Sequence, residues 1–66
     1  MSIRDIEDIF KGMPGVRFLA IQSNPGDDII LFNDLYTNST LALFSNDLSQ
    51  ENIRQKVITS RRAFQI

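Results

Sequence analysis

The stretch VRFLAIQSNPGDDIILFNDLYTNSTLALF, residues 16–44, decides the fold. It holds three short apolar runs: Val16 to Gln22, Ile29 to Phe32, and Thr40 to Phe44. Ser23-Asn24-Pro25-Gly26 separates the first two, with Pro25-Gly26 suited to the centre of a type II turn because glycine supplies the positive φ. Asn33-Asp34 ends the second run, and the polar loop Thr37-Asn38-Ser39 precedes the third. Connections this short favour antiparallel neighbours, so the segment predicts a three-stranded meander.

Outward from the sheet, both flanks read as helices. Ser2 is placed to cap Ile3 to Lys11, with Asp5 completing a capping box. Ile3, Ile6, Ile9, Phe10 and Met13 form its apolar stripe, and Gly12 and Pro14-Gly15 stop it. Ser49 caps a second helix, in which Ile53, Val57, Ile58 and Phe64 mark the buried side. The predicted fold is α+β: a three-stranded antiparallel meander flanked by N- and C-terminal helices, in the order α-β-β-β-α. Sixty-six residues are expected to form a single small domain, 1–66.

The strands lack the alternation of a sheet with one wet face. Phe18 and Ala20 oppose Leu19 and Ile21, Ile29 and Leu31 oppose Ile30 and Phe32, and Leu41 and Leu43 oppose Ala42 and Phe44. Either one helix covers each face, or both helices lie on one face and another molecule covers the other. The small size favours the second arrangement, because a chain of this length buries only about 60% of its unfolded surface. The expected interface is the sheet face carrying Phe18, Ile30, Phe32 and Phe44, with Tyr36 at its margin as an anchor or a loop lid. A one-residue slip exchanges the two faces, so alternation alone does not choose between them. On this reading Phe32→Asp dissolves an oligomer without unfolding the chain.

Composition narrows the chemistry. The chain has no cysteine or histidine, which excludes Cys-His and Ser-His-Asp catalysis and zinc sites built on either residue. Its three glycines form no phosphate loop or dinucleotide pattern. Asp27, Asp28 and Asp34, beside Asn33, are the carboxylates available for an oxygen-ligand metal site or acid-base work, but hairpin ends demand the same residues. The expectation is therefore no enzyme, no metal and no cofactor.

The net charge is −1, and its distribution is uneven. The chain up to Ile53 carries eight acids and three bases, whereas Arg54, Lys56, Arg61 and Arg62 follow Glu51 with no acid after them. A basic helix of this kind either contacts phosphate or completes the helix dipole. Asn38-Ser39-Thr40 matches a glycosylation acceptor, but the residues before it carry no secretory signal, so it reads as a turn. Together these features predict a cytoplasmic, non-enzymatic interaction or regulatory module, acting as a subunit, adaptor or inhibitor and paired as a homodimer or with another protein. The alternative is a weak nucleic-acid binder using Arg54, Lys56, Arg61 and Arg62.

Overall fold

The computed structural model describes residues 2–64. The order is α1 (Ile3–Lys11), β1 (Val16–Gln22), β2 (Ile29–Asp34), β3 (Ser39–Phe44), a 3-10 turn (Ser45–Asp47) and α2 (Gln50–Phe64). The strands form one antiparallel sheet in the order β1-β2-β3. This is the α-β-β-β-α meander predicted from the three apolar runs.

Local chemistry sets the helix ends. The Asp5 amide donates to Ser2 Oγ at 3.3 Å, and the Ser2 amide donates to Asp5 Oδ2 at 3.2 Å. The bond from the Ser2 amide first, and then the Ser2 hydroxyl, hold the Asp5 carboxyl below its ordinary range. At the far end of α1, the Gln50 side-chain amide donates to the Ile9 carbonyl at 3.0 Å. The first residue of α2 thus satisfies a carbonyl that the end of α1 leaves without an intrahelical donor. Ser49 caps α2, its Oγ accepting from the Asn52 amide at 3.1 Å.

Both helices lie on the same face of the sheet. Ile30 and Phe32, which share a parity on the central strand, are fully buried in one cluster with Ile6 and Phe10 of α1 and Ile53 and Val57 of α2. The Phe10 ring lies 5.5 Å from Phe32 and 5.8 Å from Phe18. Burial along β2 alternates strictly, with Ile30, Phe32 and Asp34 inward. On β1 the register shifts between Phe18 and Ala20, and Leu19 has no partner across the ladder. This bulge reverses parity, so Phe18 and Ile21 both face the helices, paired with Phe32 and Ile30.

Two expectations are corrected here. Asn33 and Asp34, read as a strand end, belong to β2. Phe64, expected in the buried stripe of α2, is exposed, and only Ile53 and Val57 of that helix are buried. The last turn of the helix therefore lies beyond its buried side.

Candidate interaction surface

The face of the sheet away from the helices is open. Its rows follow from the register: Gln22, Ile29 and Phe44 at one end, Ala20, Leu31 and Ala42 in the middle, and Arg17, Asn33 and Thr40 at the other end. Leu19 projects from the bulge beside them and is 41% exposed. The centre is apolar, the rim is polar, and Arg17 is the one full charge among these ten residues. Three strands about 4.8 Å apart, each rising about 3.3 Å per residue over roughly six residues, give a footprint of roughly 300 Å². Its apolar centre, without the polar Arg17, Asn33, Thr40 and Gln22, is smaller than the largest apolar patch of a typical monomer, about 300–600 Å².

The structure separates the residues that the sequence grouped as one interface. Ile30 and Phe32 are 0% exposed beneath both helices, so they are core and not interface. Phe18 shares their face and is half-buried against Phe10. Only Phe44, 52% exposed, lies on the open face. The physical reason is parity: Phe44 pairs with Ile29, whereas Phe18 and Phe32 pair with each other. The residues missed are Ile29, Leu31, Ala42, Ala20 and Leu19. Polar Arg17, Gln22, Asn33 and Thr40 mark the same face and were the available signal.

Tyr36 stands apart from both sets. It is exposed in the β2-β3 turn, with the Arg61 guanidinium 4.5 Å above its ring. A Cβ built on Gly15 would come within 3.1 Å of the ring, so that glycine admits the tyrosine. Arg61 also donates from Nε and Nη2 to the two oxygens of Asp34, at 3.0 and 2.9 Å. Asp34 is buried and accepts further from the Tyr36 amide and the Thr37 hydroxyl, each at 3.1 Å. Arg61 above all, with the Tyr36 and Thr37 hydrogen bonds, lowers its carboxyl to about 2 against the desolvation that opposes ionisation. The same contact raises the affinity of Arg61 for its proton.

The cations of α2 do not share one surface. Arg61 is paired with Asp34, away from Arg62 and Lys56. Arg54 pairs with Glu51 at 3.4 Å. Arg54 and Arg61 border a cleft against Gly12 to Val16, whereas Lys56 lies beside Leu43, Phe44 and Asp47 of the β3 margin. Arg62 is exposed. The carboxylates are separated as well. Asp34 ends β2 at Arg61, while Asp27 accepts from the Ser45 hydroxyl at the opposite end of the strand. Among the described residues, no cluster of three carboxylates could hold a metal ion.

The fold and this face define a two-layer α+β protein with an uncovered apolar sheet. Among the described residues, no helix is long and apolar enough to cross a membrane. No family model matches the chain, and neither a curated protein nor a solved structure matches it.

Proposed function

We propose that this chain is a non-enzymatic protein-protein interaction module that binds through the open face of its sheet. One observation carries the reading: β2 alternates between a fully buried set, Ile30 and Phe32, and an uncovered apolar set, Ile29 and Leu31. A central strand that is apolar on both sides calls for cover on both sides, and the two helices supply only one.

The chemistry of the face indicates its partner. A flat, nearly uncharged surface centred on Leu31 suits an apolar helix or sheet face. Arg17 at one corner favours an acidic group on the partner's rim. Proteins that co-purify with the wild-type chain are compared with those held by Leu31→Asp and by an Arg54→Ser, Arg62→Ser variant. The reading requires a partner that Leu31→Asp loses and the double variant keeps. The reverse pattern, or nucleic acid held in a salt-sensitive way by the wild type and lost in the double variant, would move the site to α2.

A further inference from the structure

The two edges of the sheet are built differently. The edge of β1 carries the Leu19 bulge and the charge of Arg17, both devices that discourage strand pairing. The edge of β3 has neither. Ser39 to Phe44 keeps an unbroken register with β2 and includes no charge and no proline.

The free groups on that edge follow from the ladder. The Ser45 amide donates to the Asp28 carbonyl at 2.8 Å, which makes their position a hydrogen-bonded pair. Such pairs alternate in an antiparallel ladder, so Leu43, Leu41 and Ser39 turn their backbone groups toward β2. Thr40, Ala42 and Phe44 then direct N–H and C=O outward. The Phe44 carbonyl also caps the 3-10 turn that follows it, and among the described residues no side chain or turn bonds to the other outward groups.

We infer that two copies of this chain join β3 to β3, antiparallel about a two-fold axis through Ala42, into one six-stranded sheet. The edge is self-complementary in that register. Thr40 of each copy meets Phe44 of the other, Ala42 meets Ala42, and every outward backbone group gains a partner. On the helix side Leu41 of one copy faces Leu43 of the other.

Charge at the two ends of the edge suits a second copy as the occupant, and Lys56, beside Ala42 at the axis, shares its margin with Asp47, which offsets the approach of the two lysines. The helix α2 runs antiparallel to β3, from the 3-10 turn at the end of β3 back to Arg61 at Asp34. Along the free edge, Asn52, Gln55, Lys56 and Thr59 line a groove with Leu43 and Asp47. The next position on that helical stripe is Arg62. Two-fold pairing lays the helices antiparallel, bringing Asp47 and Glu51 of one copy toward Arg62 of the other. It also merges the two open faces to roughly 600 Å², closer to the ~800 Å² per partner of a standard interface. Only this last consequence rests on the proposed function.

Light scattering on a sizing column, across a dilution series, tests the pairing. The wild type should show close to twice 7.5 kDa, and Ala42→Pro should stay at 7.5 kDa with an unchanged circular dichroism spectrum. Because the Ala42 amide points away from β2, proline there removes no internal ladder bond. If Ala42→Pro fails to fold, Thr40→Lys on the exposed edge decides in its place. A wild-type monomer throughout, a dimer that survives both substitutions, or a dimer that only Leu31→Asp dissolves would overturn the inference. A monomer that still loses its partner on Leu31→Asp would overturn the pairing and leave the face reading standing.

Discussion

Arg61 reaches across from the last turns of α2 to hold both oxygens of Asp34, the inward residue at the end of β2, at 3.0 and 2.9 Å. Asp34 is fully buried and Arg61 is 37% exposed, so the pair is a clasp between helix and hairpin with one side wet. Its removal strands a buried carboxylate. Arg61→Ala should cost about 2–3 kcal/mol in urea denaturation, below the full value for a buried pair because water reaches the arginine. Such a loss is large against the roughly 3–10 kcal/mol expected of a chain of this length. Arg61→Lys should recover less than half, since an ammonium cannot make the two-pronged contact.

The same pair sets a stability change in acid. The Asp34 carboxyl is lowered from 3.8 to about 2 in the folded chain, so unfolded chains take up its proton first as the pH falls. Its contribution, roughly 2 kcal/mol, is complete above about pH 5 and is lost as the pH falls from about 4 to about 2. Subtracting the pH profile of Asp34→Asn from that of the wild type isolates this loss. A difference that stays flat across that window would show that Arg61 does not hold the carboxylate in solution.

Gly26 is the hinge of the β1-β2 connection, with φ of +91° and open space where a Cβ would stand. Gly26→Ala meets no neighbour and is opposed by backbone strain alone, so it should cost about 1 kcal/mol. Thermal melting should fall by roughly 4–8 °C without any change in partner binding.

Gln50 couples the two helices through its bond to the Ile9 carbonyl. Gln50→Ala should cost about 1 kcal/mol, the usual net value of one hydrogen bond. Amide exchange should rise in the last turn of α1 more than elsewhere, because the substitution frees a terminal carbonyl. Uniform acceleration would contradict a local capping role.

Segment order was legible because the three apolar runs and their Pro-Gly and Asn-Ser punctuation leave few alternatives. The Ser2-Asp5 capping box and the Ser49 cap were legible for the same reason, being contained in a few consecutive residues. The outward face was not, and two residues account for it. Leu19 adds a residue to β1 and exchanges the faces after it, so Phe18 and Ala20 do not share a side as their spacing implies. Asp34 places a carboxylate on the inward parity of β2, where its neighbours Ile30 and Phe32 are core. Its arginine is 27 residues away and invisible to any local pattern. The same distant contact sets Arg61 apart from the other cations of α2.

Leu31 and Phe32 are consecutive residues on the central strand, and their opposed roles are the centre of this account. Thermal melting of Leu31→Asp and Phe32→Asp, followed side by side by circular dichroism, tests them most directly. Phe32→Asp buries a carboxylate without a partner beneath both helices and should abolish the cooperative transition. Leu31→Asp faces solvent and should remain folded, losing about 1–2 kcal/mol for a poor strand former at a half-covered site. Loss of the transition in both variants, or its survival in Phe32→Asp, would contradict a sheet with one covered face and one open face.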